Sequence, residues 1–352
     1  MNARALEFLV PGDLDAATGG YGYDRRMIAG LRALGWQVTV HVLDGSFPQP
    51  TAAALDHASQ VLTQLPDQAL VLVDGLAGGA MPQLLRVQAA RLRLVALVHH
   101  PLAAESGLAA HRALELRNAE QLALQAVRHV IVTSEATKLV LRSYGVEPDS
   151  VSVVEPGTDA AVLAHGEHGA ILKMLCVASL IPRKGHDVLF EALALLPARW
   201  SLTCIGSLER SPATVRVLQS QLQRLGLEAS ITLAGEVDAA TLDRHYREAD
   251  LFVLATRFEG YGMAVAEALA HGLPVIGTNV DAIAERVGSD AGLLVPPDDV
   301  EALSAALGRV LNDGALLNAL AEGAARVRNI LPTWSESCSV MSRVLALQHA
   351  PD

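Results

Sequence analysis

The sequence predicts an α/β protein made of two doubly wound parallel sheets, and three observations carry that prediction. Short Val, Leu and Ile runs alternate with amphipathic stretches of about ten to twenty residues, the pattern of βα units whose strands are buried on both faces. The rhythm breaks over residues 155–169, where Pro156, Gly157, Gly166 and Gly169 read as a linker. A chain of 352 residues also exceeds one ordinary domain. In the first half the spacing predicts strands at 5–10, 37–43, 69–73, 92–98, 129–132 and 152–154, with helices between them. A second series follows at 172–178, 201–205, 231–233, 251–254 and 275–276. From Val300 onward the pattern is helical, and residues 333–348 can fold back across the linker. The expected organisation is therefore a first domain over 1–165, a second over 166–332, and a returning helix over 333–352.

Composition excludes several classes. With 51% apolar and 18% charged residues, the chain has the profile of a packed globular protein and not of a disordered one. Asp74, Arg86, Arg91 and Arg93 interrupt the apolar stretches before any reaches the roughly 18 to 20 residues of a membrane span. Arg4 and Glu7 sit in a short strand-like start that lacks a signal peptide's apolar core, so a cytoplasmic location is expected, without membrane association. Cys176, Cys204 and Cys338 are too dispersed for a disulfide framework or a zinc knuckle and are read as buried thiols. The net charge of −11 is spread over both halves, −4 in residues 1–160 and −7 in 161–352, which argues against a nucleic-acid partner. Thirteen aromatic residues are few for a protein that stacks sugars or single strands on ring faces.

In doubly wound sheets, ligands sit at the carboxyl ends of strands, and the informative motifs fall there. The first is the string from Arg257 to Glu267, followed by His271-Gly272-Leu273-Pro274. Gly260 and Gly262 allow a tight turn into a helix, leaving the amides of Gly262 to Val265 free to meet an anion. Glu267, one turn inside, suits the two hydroxyls of a ribose, and Glu259 faces whatever is attached beyond the phosphates. Taken singly, either glutamate is an ordinary solvated residue near a helix start; the full string of glycines, glutamates and Gly-x-Pro favours the functional reading. The second motif is Arg183-Lys184 in the loop after the strand at 172–178. Two cations there suit a diphosphate, each contributing up to about 4 kcal/mol of Coulomb energy at 4 Å and an effective dielectric near 20. Surface charge is the plain alternative. Only Lys138, Lys173 and Lys184 exist, so a lysine at this point carries weight.

The first half offers weaker signals. Gly19-Gly20 after the first strand permits close approach of backbone to a phosphate or sugar, or marks a turn. Gly20-x-Gly22 begins like a dinucleotide fingerprint, but Arg25 stands at the third glycine position, and a nicotinamide cofactor is discounted. Asp13-Leu14-Asp15 reads as a turn. No clustered His, Cys or carboxylate spacing points to a metal. His99 and His100 close the fourth strand and are either ligand contacts or structural.

These residues together resemble the retaining glycosyltransferases of family 4, over nearly the whole chain. The resemblance rests on Leu34-Gly35-Trp36-Gln37-Val38-Thr39-Val40, the strand ending Leu97-Val98-His99, the pair Arg183-Lys184, Gly235-Glu236-Val237, the E-x7-E string from Glu259 to Glu267, and Trp334. It implies the GT-B architecture, two Rossmann-like domains facing a central cleft. It implies further that Arg183 and Lys184 hold the donor diphosphate in place of a metal and that Glu267 binds the ribose. Glu259 and the backbone of Gly260, Tyr261, Gly262, Met263 and Ala264 would hold the transferred sugar, and the base would meet backbone near Val237. Gly19 and Gly20 would line the site near phosphate and acceptor, and His99, with His100 beside it, would contact the sugar. The implied donor is a nucleotide sugar, uridine diphosphate sugars first, with no further cofactor. The acceptor is a small-molecule or lipid-linked hydroxyl; arginines at 112, 117 and 128 mixed with Glu115 and Glu120 favour a small soluble one. Two departures stand out: His99-His100 replaces the family's His-Asp, and its Pro-Asn-Gly-x-Asp linker appears as Glu155-Pro156-Gly157-Thr158-Asp159. A sugar-nucleotide epimerase and a non-catalytic sugar-nucleotide-binding protein are the competing readings.

Overall fold

The computed structural model describes residues 4–105, 107–166 and 171–349. The chain divides into two compact units, Met1–Gly157 with Pro332–Asp352, and Thr158–Leu331. The first contains β1 (Arg4–Pro11), β2 (Trp36–Leu43), β3 (Leu70–Asp74), β4 (Arg93–Val98), β5 (His129–Val132) and β6 (Val151–Val153), in the order β2-β1-β3-β4-β5-β6. The second contains β7 (Leu172–Val177), β8 (Trp200–Ile205), β9 (Ile231–Gly235), β10 (Leu251–Leu254), β11 (Val275–Thr278) and β12 (Gly292–Val295), in the order β12-β11-β10-β7-β8-β9. Every strand pairing is parallel. The eleven expected strands all form, with ends displaced by at most two residues. β12 is the addition: a four-residue edge strand with half-exposed Leu293 and Leu294, too short to print a period in the sequence.

The strand order dictates where ligands can sit. In each sheet the connections reverse direction once, between β1 and β3 in the first and between β7 and β10 in the second. Loops leaving such a pair turn to opposite faces of the sheet, so a crevice opens at the strands' carboxyl ends. Both central strands, β3 and β10, are buried along their whole length, each fully buried Leu or Val contributing about 1.5–3 kcal/mol.

The last helix, Trp334–His349, belongs to the first unit. Its Cys338 Sγ lies 3.8 Å from the sulfur of Met27 on the helix Gly19–Ala33, and its Ser342 hydroxyl accepts from the Trp36 indole at 2.9 Å. It starts directly against the linker, where a Cβ on Gly157 would fall 2.2 Å from the Trp334 amide nitrogen. Residues 158–166 go with the second unit, as Ala164 donates its amide to the His271 carbonyl (2.7 Å) and His165 to that of Arg247 (3.1 Å). The division thus falls after Gly157, ahead of the residue 165 at which the first domain was expected to end. The linker residues 167–170 lie outside the described residues. No helix among the described residues is long and apolar enough to cross a membrane.

Candidate active site

In the second unit, the loops after β7 and β10 flank the reversal point, and they carry Arg183, Lys184 and Glu259. The Lys184 Nζ donates to Glu259 Oε1 at 2.5 Å, and Arg183 Nη1 lies 3.8 Å from the same oxygen while donating to the Phe258 carbonyl at 2.7 Å. Glu259 is buried. Burial pushes its carboxyl up, but the Lys184 and Arg183 charges, with hydrogen bonds from Lys184 and Thr256, outweigh this and hold it below the usual carboxylate range. It is therefore an anion held between two cations, an ammonium with three donors and a guanidinium with five.

Backbone contacts fix this geometry. Gly185 adopts φ +65°, and a Cβ there would fall 1.9 Å from the Ala255 carbonyl oxygen, so only glycine lets the two loops touch. The Arg183 carbonyl accepts from the Arg257 amide (2.8 Å) and the Thr256 hydroxyl (3.1 Å). Arg257 grips Asp187 with two nitrogens, at 3.1 and 2.8 Å, reaches Asp298 at 2.7 Å and bonds the Pro182 carbonyl. Arg257 and Asp187 stand at the edges of the two sequence motifs, but their pairing across 70 residues was not legible from them.

The helix Met263–Ala270 begins at Gly262, whose φ of +87° directs the chain into it with no side-chain cap. One expectation is corrected here: the Val265 amide is not free but donates to the Gly262 carbonyl at 3.0 Å, because the first turn is already closed at that point. The helix start proper is thus Gly262, Met263 and Ala264, ahead of the first closed turn. Tyr261 is buried under the Arg286 guanidinium, 3.9 Å from the ring centroid, and Gly260 lies between it and Glu259. Glu267 is half-buried and accepts from the Tyr246 hydroxyl at 2.8 Å; Tyr246 in turn stacks on His271 with centroids 4.7 Å apart. Burial pushes the Glu267 carboxyl up despite that bond. It is a positioned side chain, unlike a solvated helix residue. Val237 lies just beyond the end of β9, half-buried against the core.

In the first unit, the reversal point gathers groups that sequence reasoning missed. His99, just after β4, places Nε2 at 3.2 Å from Asp24 Oδ1 and 3.6 Å from Asp74 Oδ2. Asp24 lies on the helix after β1 and Asp74 ends β3, and both carboxylates are buried. Gly19 and Gly20 are not in a flexible loop as expected: Thr18 caps the helix by accepting from the Tyr21 amide, which draws both glycines into its first turn. Gly20 then lies beside the His99 ring, where an added Cβ would meet Cδ2 at 3.4 Å. His100 points elsewhere, its Nε2 at 3.8 Å from Glu105. Asp13 closes a turn by accepting from the Asp15 amide at 2.9 Å.

The fold assembles what the sequence spacing did not show. Cys176, His186 and Cys204, all buried, bring their donor atoms within 4.8 Å of one another, and a soft cation would fit that set by donor chemistry. Asp24, Asp74 and His99 are equally close, but Nε2 is spent on its carboxylates, which makes them a hydrogen-bonded cluster. All three cysteines are free and buried.

Comparison with known proteins adds a family. Residues 70–162 match the family described as Glycosyltransferase Family 4, and residues 172–313 that described as Glycosyl transferases group 1. The chain is 28% identical over 248 residues to a D-inositol 3-phosphate glycosyltransferase of Jonesia denitrificans, spanning 64% of this chain and 58% of the relative. Among solved structures it resembles a sucrose-phosphate synthase from Thermosynechococcus elongatus, at 22% identity and a TM-score of 0.84 over 98% of both chains. Anabaena Alr3699/HepE, solved with UDP and glucose, matches at 18% identity and a TM-score of 0.79 over 98% of this chain and 100% of that one. The architecture of two parallel, Rossmann-like sheets is that of the GT-B fold.

Proposed function

The chain belongs to the family 4, group 1 glycosyltransferases, and on that premise we propose that it moves a hexose from a nucleoside diphosphate sugar, a uridine diphosphate sugar first, to a hydroxyl acceptor, with retention at the anomeric carbon and without a metal. The observation that carries this reading is the cluster of Arg183, Lys184 and Glu259 beside the uncapped helix start at Gly262. A diphosphate seated there takes its hydrogen bonds from Arg183, Lys184 and the amides of Gly262, Met263 and Ala264. Glu259, kept ionised by the same two cations, accepts from hydroxyls of the sugar beyond the phosphates. Glu267, set by Tyr246, addresses the ribose.

Breaking the bond between the anomeric carbon and the diphosphate oxygen loads negative charge onto that diphosphate. Donors already in place stabilise it without reorganising, which is where such sites gain most of their rate. The acceptor oxygen then bonds to the carbon from the same face, and its proton passes to the departing diphosphate oxygen, so no covalent enzyme intermediate forms. For the acceptor, a small soluble hydroxyl compound fits best. In the helix Ala110–Leu124, Arg112 is paired with Glu115 at 3.0 Å and Arg117 lies over the Tyr144 ring and bonds Ser143, so these arginines do not line a bare basic face for lipid. Uridine diphosphate donors of both glucose and mannose series, offered with pooled hydroxyl acceptors in the presence of EDTA, test the reading by the product's anomeric NMR coupling. Transfer with the donor's own configuration is expected. Inverted product, or transfer abolished by EDTA and restored by a divalent cation, contradicts it, and conversion of donor without an acceptor would make the protein an epimerase.

A further inference from the structure

We propose that Asp24 and Asp74 are positioning residues that hold the His99 ring with its Nε2–H turned inward, so that Nδ1 is the nitrogen offered to a hydroxyl of a ligand at the carboxyl end of this sheet. The proposal rests on the glycosyl-transfer reading for its ligand, but its geometry stands apart from that reading. A carboxylate only accepts, so a ring nitrogen 3.2 Å from Asp24 Oδ1 carries the proton, with Asp74 Oδ2 beyond it at 3.6 Å. The ring is held on its other sides as well: Tyr23 meets it edge-on at 5.3 Å, Gly20 lies beside Cδ2, and Thr133 donates its hydroxyl to the His99 carbonyl at 3.2 Å. About a fifth of the side chain remains exposed. Asp74 is itself anchored, its Oδ1 accepting from the Leu76 amide at 2.8 Å. Asp24 Oδ2, in a fully buried residue, has no hydrogen-bond partner among the described residues. Nothing in the packing of the core requires two carboxylates here, and an unpartnered buried carboxylate oxygen is costly unless the cluster serves a purpose.

The charge arrangement supports the geometry. The titratable groups around His99 are Asp24 and Tyr23 from one helix, Asp74 from the end of β3, and His100, paired with Glu105, next in the chain. Burial and the nearby Asp24 charge push the Asp74 carboxyl up to about 7, against the opposing pull of His99. Burial pulls the His99 imidazole down, but Asp24 and Asp74 more than reverse this and raise it. Protonation of the ring makes Nδ1 a donor, and that donor is lost as pH rises through the raised value.

Nitrogen-15 histidine spectra, with the His99 signals identified by their absence in His99→Gln, read this directly. In the wild type, His99 should titrate above the ordinary histidine value of about 6.5 and, once neutral, keep its proton on Nε2. A midpoint at or below that value, or a neutral proton on Nδ1, overturns the proposal whether or not the aspartate variants fold. Asp24→Asn should lower the midpoint by at least one pH unit, reduce kcat ten- to a hundredfold with the donor KM changed less than threefold, and move the alkaline limb of the kcat profile down with the midpoint. Asp74→Asn, which mimics the protonated acid, should keep at least half of kcat. Unshifted His99 signals in Asp24→Asn, or an Asp74→Asn loss equal to that of Asp24→Asn, contradict the assignment. Should the wild type transfer no sugar at all, the function assigned above fails while the spectra still decide the placement of the ring.

Discussion

The two units place charge clusters at the same topological point of their sheets and build them with opposite sign. Between β7 and β10, two cations surround one buried carboxylate; between β1 and β3, two buried carboxylates surround one imidazole. The first arrangement carries surplus positive charge, which fits a diphosphate. The second carries surplus negative charge unless it binds protons, which fits a device that sets the charge of a histidine. One strand order thus supports two chemistries because the carboxyl ends of the strands fix only position, and the side chains placed there decide the charge.

Several substitutions would break or sharpen this contrast. The largest effect should come from the double variant Arg183→Ala, Lys184→Ala: kcat/KM should fall about a hundredfold or more, roughly 3 kcal/mol of lost transition-state stabilisation, and its melting temperature should fall as well, because the buried Glu259 loses both counter-charges. Gly185→Ala should come next, costing about 1–3 kcal/mol of stability for the left-handed backbone alone, and more from the clash with the Ala255 carbonyl; thermal melts measure it, and an unchanged melt would mean that the loops need not touch. Tyr246→Phe removes one hydrogen bond to Glu267, worth about 0.5–1.5 kcal/mol. Its donor KM should rise several-fold with kcat little altered, whereas an equal fall in kcat would place Glu267 nearer the chemistry than the ribose. A further effect, read in stability alone, tests a buried carboxyl. Glu120 accepts from the Leu102 amide at 3.0 Å, and burial pushes its pKa up to about 8. Because the folded state holds that proton more tightly than the unfolded one, Glu120 lowers stability progressively as pH rises from about 4.5 to about 8. Glu120→Gln should accordingly raise the melting temperature at pH 8 by a few degrees, with the gain vanishing near pH 4.5.

The same contrast separates what sequence could reveal from what it could not. The donor-side cluster lay in two continuous strings, because a strand, its loop and the following helix start are consecutive in the chain. Arg183, Lys184, Glu259 and Gly262 were therefore visible as motifs, and the parallel strands were visible as apolar runs buried on both faces. Asp24 and Asp74 carried no such mark: one sits in a helix and the other closes a strand, 50 residues apart, and only the pairing of β1 with β3 and β3 with β4 brings them to His99. Gly19-Gly20 was visible but misplaced, since the capping role of Thr18 decides whether those glycines form a loop or a first helical turn. β12 escaped because four residues at a sheet edge are shorter than one readable period.

The most direct test of the central claim, that the second unit grips a diphosphate with Arg183 and Lys184, is a calorimetric titration of uridine diphosphate into the wild type and the double variant. The account predicts saturable binding to the wild type that weakens at least a hundredfold when both cations are removed. Equal affinity in the two proteins would contradict it.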